Sequence, residues 1–119
     1  MRSLVATLAL IGLVACAAPP KPLPEIAPPR TTAQIAEGGA MAERWCASCH
    51  AVGKAGESPN PAAPPFRRLA ERYPVNALEE AFAEGVLVGH PAMPEFQLTP
   101  AQIDSLVGYL ETIQERRGG

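Results

Sequence analysis

The chain has 119 residues, room for one domain, and its 14 prolines and 10 glycines are more than a chain structured throughout would carry. A formal net charge of −2 argues against a nucleic-acid binder that depends on phosphate contacts, and three cysteines exclude a dense disulfide framework. An apolar span of the ~20 residues needed for an ordinary transmembrane helix is also missing.

Met1 and Arg2 give a short positive start, and Leu4 to Val14 is an apolar run of 11 residues. That run is too short for a bilayer but suits the hydrophobic region of a signal peptide, so residues 1–15 read as an export signal. Leu13-Val14-Ala15-Cys16 resembles a bacterial lipobox, in which Cys16 becomes the lipidated first residue; Ala15-Cys16-Ala17 also fits ordinary small-residue cleavage. Both routes export the chain to the periplasm. Lipidation is preferred, because a free thiol at that position would be an oxidation liability.

Residues 17–30 hold six prolines in 14 positions. Proline lacks the N–H and fixes φ, so this stretch favours extended polyproline II. It would reach about 43 Å at ~3.1 Å per residue, and with lipidated Cys16 it forms a semi-rigid tether, residues 16–30. A spacer makes sense if its far end is anchored to a membrane. Residues 31–119 form the structured domain.

That domain reads as helices joined by proline-rich loops, with no long strand pattern and no repeat. Thr31 or Thr32 starts a first helix whose Ile35, Gly38, Gly39, Ala42, Cys46 and Cys49 share a face. Its two glycines suggest close approach by another helix. Residues 51–65 form a loop, and Phe66 to Arg72 a short helix begun by Pro64 and Pro65. Asn76 is expected to cap a helix over 77–84 that Gly85 ends. Thr99-Pro100-Ala101-Gln102 reads as a capping box ahead of the stripe Ile103, Leu106, Val107, Leu110 and Ile113. Arg116 and Arg117 suit the C-terminal end of that helix dipole. Arg67, Arg68 and Arg72 read as a solvated helix face.

The chemistry lies in Cys46-Ala47-Ser48-Cys49-His50. C-x-x-C-H is the attachment signature of c-type haem. Cysteines three apart on a helical turn share a face, so both thiols reach the two vinyl groups of one porphyrin. The histidine can then place its imidazole over the iron. A structural zinc site would have only Cys46, Cys49, His50 and His90 to draw on. A thioredoxin-like pair lacks its βαβ context, and a plain disulfide leaves His50 unexplained. For a second iron ligand, Met41 lies on the same helix as the motif and cannot cross to the opposite haem face. Met93 lies 43 residues after His50 in a loop stiffened by Pro91 and Pro94, and is preferred; His90 would give a bis-histidine site.

Residues 35–113 resemble small bacterial class I cytochromes c. The marks are Gly38 eight residues before Cys46, the Cys46–His50 signature, Pro64-Pro65-Phe66, Met93-Pro94-Glu95-Phe96 and Leu106-Val107-Gly108-Tyr109-Leu110. The resemblance implies an all-α fold of three to four helices around one covalently bound haem, with the first and last helices crossing and Gly38 facing the Tyr109 region. It also implies that the carbonyl of Pro64, or Pro65 in the alternative register, accepts the His50 Nδ1–H bond. Many relatives carry an aromatic four residues before the first haem cysteine. Here that position is Ala42, and Trp45 is expected to fill the space.

The expected function is electron carriage rather than substrate chemistry: one haem c, with His50 and Met93 as metal ligands, passing single electrons between redox protein partners of a respiratory or dehydrogenase chain at the periplasmic face of a membrane. The alternative is a haem c sensor or enzyme subunit in which the methionine dissociates.

Overall fold

A computed structural model of the protein describes residues 28–85 and 93–115. The export signal, most of the tether, His90 and Arg116–Arg117 lie outside the described residues. In chain order the elements are helix α1 (Thr32–Trp45), 3₁₀ segments at Phe66–Glu71 and Val75–Ala77, helix α2 (Leu78–Ala83) and helix α3 (Pro100–Ile113). No strand occurs among the described residues.

Both long helices start with the same device. The Gln34 N–H donates to Thr31 Oγ1 at 3.2 Å, and Gln34 Oε1 accepts from the Thr31 N–H at 2.8 Å. Thr99 and Gln102 repeat this at 3.3 and 2.9 Å, with Pro100 in the first turn, where an absent N–H costs nothing.

α1 packs most extensively against α3, and the crossing is made at backbone distance. A Cβ added to Gly38 would lie 1.9 Å from the Ser105 carbonyl oxygen. Gly39 faces the Tyr109 ring, and Ala42 is completely buried. The helix glycines therefore mark close approach, as expected, not a frayed turn. Met41 belongs to the core, with Val52, Phe66, Leu69, Leu78, Leu106 and Leu110.

Three sequence expectations need correction. Asn76 caps nothing: it sits inside the 3₁₀ turn Val75–Ala77, and α2 starts one residue later with Ala77 at its N-cap and no side-chain bond. The segment after Pro65 is a 3₁₀ helix ending at Glu71, not an α-helix. Of the expected solvated basic face, Arg68 and Arg72 are exposed as expected but Arg67 is not. Arg67 is buried: its Nε donates to Glu115 at 2.7 Å and its Nη1 to the Gly56 carbonyl at 2.6 Å. Gln114 joins the same segment to the end of α3, donating to the Phe66 carbonyl at 2.8 Å and accepting from the Ala70 N–H at 2.9 Å. A short segment without its own α-helical ladder is thus held to α3 by side chains. Gly85 does end α2, with φ +69°.

Candidate haem-binding site

α1 ends at Trp45, and the C-x-x-C-H motif continues it as a hydrogen-bonded turn. The Cys46 N–H still donates to the Ala42 carbonyl at 2.9 Å, while the Cys49 and His50 N–H groups both return to the Cys46 carbonyl, at 3.1 and 2.9 Å. The turn keeps Cys46 and Cys49 one backbone turn apart without belonging to the helix proper.

The loop after the motif folds back over it. The Asn60 N–H donates to the Cys49 carbonyl at 3.1 Å, and the Phe66 N–H to the Ala51 carbonyl at 2.9 Å. Tyr109 of α3 secures the same loop through a 3.0 Å bond from its hydroxyl to the Val52 carbonyl. These bonds bring Pro64 to His50. The imidazole Nδ1–H donates to the Pro64 carbonyl at 2.8 Å, and the ring stands against Phe66 with centroids 4.8 Å apart. A proton on Nδ1 leaves Nε2 with a free lone pair, the form of imidazole that binds a metal.

Two adjoining cavities, of about 80 and 250 Å³, open beside the motif. Trp45, Cys46, His50, Pro64, Met93 and Phe96 border both. Cys49 joins the smaller, which opens among Ser48, Ala62 and Pro94. The larger runs inward between Leu69, Leu78, Phe82, Leu106 and Leu110. Met93 therefore lines the same two cavities as His50, whereas Met41 borders neither.

The donor set fits a thioether-bound porphyrin. The cavity is a mostly apolar slot, with both cysteines at one side and an oriented imidazole beside them. Burial, and then the neighbouring Cys49, push the Cys46 thiol up to about 11. An uncharged thioether is compatible with surroundings that oppose a thiolate so strongly. Among the described residues no group of three or more His, Cys, Asp and Glu side chains could hold a bare metal ion.

Sequence reasoning missed several wall residues. Arg72, read as part of a solvated face, borders the larger cavity. It supplies the wall's one fixed positive charge among the described residues, suited to the carboxylates of a porphyrin. Tyr73 lies next to it, half-buried, and burial raises its hydroxyl pKa. Trp45, expected to compensate for Ala42, borders both cavities. The signal for Arg72 was its place between the apolar Leu69–Ala70 and Tyr73, which periodicity alone could not turn toward a cofactor.

Comparison with known proteins agrees with this geometry. Residues 33–110 match the family described as cytochrome C oxidase, cbb3-type, subunit III. Cytochrome c-552 of Bradyrhizobium diazoefficiens is 30% identical over 82 residues, covering 69% of this chain and 77% of its own length. No solved structure matches the chain. The helical fold, the paired cysteines and these matches place the protein in the cytochrome c family of the cbb3-type oxidase subunit III description, a c-type cytochrome with covalently attached haem c.

Proposed function

We propose that this c-type cytochrome carries single electrons between protein partners, and that His50 and Met93 are the residues that would ligate its iron. The observation that carries the reading is the 2.8 Å bond from His50 Nδ1 to the Pro64 carbonyl, which leaves Nε2 as the free ring nitrogen at cavities that Met93 also lines. Bound haem c supplies a one-electron ferrous–ferric couple. The chain's part would be to supply both of these side chains to the iron in either charge state, so that neither would have to leave as the charge changes. Pro64 and Phe66 hold the imidazole plane, the Leu78, Leu106 and Leu110 side excludes water, and the smaller cavity opens where a partner can approach. Exposing the reduced protein to CO tests this. Negligible binding is expected, whereas rapid binding would favour a sensor or enzyme whose methionine dissociates.

The protein is exported and held at the periplasmic face of a membrane by lipid on Cys16. Support comes from the lipobox-like sequence and the proline-rich spacer after it. Cys16→Ser should move the protein from the membrane fraction to the soluble periplasm with its haem retained. Wild-type protein that is fully soluble after cell fractionation would refute lipidation and leave ordinary cleavage. One acyl chain binds only marginally, so stable attachment needs the several chains that lipoprotein processing adds.

Docking is mainly apolar, around exposed Pro94 and neighbouring residues of the haem edge, including Ala92, which lies outside the described residues. Residues 31–119 carry seven bases against eleven acids, and Lys54 is their one lysine. Arg67 and Arg68 already face Glu115 and Glu71. A lysine ring steering an acidic partner is therefore not available. Electron-transfer rate with the physiological respiratory or dehydrogenase partner should change little with salt. A tenfold fall between roughly 10 and 200 mM would sink the idea.

A further inference from the structure

We propose that Arg30 is a clamp that fixes where the N-terminal segment leaves the domain, on the face of α3 turned away from the haem cavity. Arg30 uses all three guanidinium nitrogens on three different carboxylates. Nε donates to Asp104 at 2.7 Å, Nη1 to Glu111 at 2.7 Å, and Nη2 to Glu79 of α2. Gln34 of α1 donates to the other Asp104 oxygen at 3.0 Å, so α1 joins the same cluster through Asp104.

The site is also shaped to receive it. A Cβ on Gly108 would lie 2.5 Å from Arg30 Cδ, so the side chain lies on bare backbone of α3. The glycine of Leu106-Val107-Gly108-Tyr109-Leu110, unexplained by the haem site or by the α1 crossing, thereby gains a reason. Asp104, Gly108 and Glu111 stand at i, i+4 and i+7 and form one stripe. Leu106 and Leu110, which line the cavity, stand two residues further on than Asp104 and Gly108, about 200° around the helix. Clamp and cavity thus occupy opposite sides of α3.

The joint is stiff in both directions. Thr31, directly after Arg30, is the α1 N-cap. Pro28 and Pro29, directly before it, fix their own φ, and Pro29 confines Pro28 to extended conformations. The direction set at Arg30 therefore holds back to Pro28. Resting on the reading of residues 16–30 as an anchored spacer, the clamp turns the cavity mouth away from the anchoring surface and toward partners in the aqueous phase.

The test uses Cys16→Ser holoprotein, which needs no lipid, with a nitroxide on Pro28→Cys. Pulsed EPR then gives the distance distribution between the nitroxide and the ferric haem iron. One narrow distribution is expected. Arg30→Gln should broaden it about twofold or more, because the freed segment samples many directions. Arg30→Lys should do the same, since an ammonium lacks the planar fork that reaches three carboxylates. Gly108→Ala should broaden it with Arg30 still present, and Arg68→Gln should leave it unchanged. A parent distribution as broad as that of Arg30→Gln, or an Arg30→Lys distribution as narrow as the parent's, overturns the clamp. A second arm places the label on Ala62→Cys, at the cavity mouth, in lipidated protein on phosphatidylethanolamine–phosphatidylglycerol vesicles. Relaxation by a water-soluble nickel complex is expected, and relaxation by oxygen dissolved in the bilayer overturns the outward orientation. Failure to bind vesicles overturns the anchor alone, and the first arm still decides the clamp.

Discussion

Met93→Ala should abolish the weak sulfur–iron charge-transfer band of the ferric protein and open the reduced iron to CO. Met93 borders both cavities together with His50, in a segment stiffened by Pro94. Alanine has no atom that can reach a metal, so under the proposed ligation a coordination position would open. A thioether favours ferrous iron and raises the reduction potential relative to harder ligands. The variant's potential should therefore fall, by something on the order of 0.1 V within the ~0.8 V span that axial ligation covers. The haem should stay attached, because its covalent bonds are to Cys46 and Cys49. Two controls sharpen the result. Met41→Leu should leave the band in place, since Met41 is buried in the core and borders neither cavity. His90→Ala should also leave it. Loss of the band in the His90 variant with survival in the Met93 variant would invert the assignment.

The parts legible in the sequence were those determined by residues close together in the chain. Both capping boxes could be read because Thr31–Gln34 and Thr99–Gln102 complete their bonds within one turn. C-x-x-C-H could be read because the spacing of the thiols is the chemistry. Gly85 could be read because it occupies the left-handed region that ends a helix. Asn76 failed as a cap because Pro74 starts a 3₁₀ turn there, and the asparagine falls inside it. Arg67 misled for a different reason. Its sequence neighbours Arg68 and Arg72 suggested a charged face, whereas its partners Gly56 and Glu115 lie 11 and 48 residues away. Arg30 is the same case at longer range. Ion pairs across 49 to 81 residues follow only from the helix crossing, and no local pattern announces them. The cavity wall was half legible: Cys46, Cys49, His50 and Met93 belong to motifs, while Trp45, Arg72 and Phe82 reach it through packing.

Gly38→Ala should be among the most damaging single-methyl substitutions in the domain, and Gly39→Ala close to harmless. Glycine to alanine inside a helix ordinarily stabilises by about 1 kcal/mol. At Gly39 the new methyl would sit 3.1 Å from the edge of the Tyr109 ring, which a small ring movement relieves, so gain and strain should nearly cancel. At Gly38 the methyl would lie 1.9 Å from the Ser105 carbonyl oxygen and 2.9 Å from Tyr109 Cβ. Those atoms are backbone, or fixed to it, and cannot swing aside. α1 must therefore move off α3 by more than an ångström, which opens the contacts around Ala42, Leu106 and Val107. Overpacking of this kind costs about 1–3 kcal/mol, and the rigid obstacle puts Gly38 at or above the upper end. The damage also reaches the site. α1 carries the Cys46 turn, while Tyr109 holds the loop after His50 through Val52. Displacing one helix against the other shifts the cysteines relative to Met93. Guanidinium unfolding of the ferric holoprotein should show a loss of about 3 kcal/mol for Gly38→Ala and under about 1 for Gly39→Ala. The sulfur–iron band should weaken at a lower denaturant concentration than in the parent. A Gly38→Ala protein as stable as the parent would mean that the two helices do not cross at backbone contact.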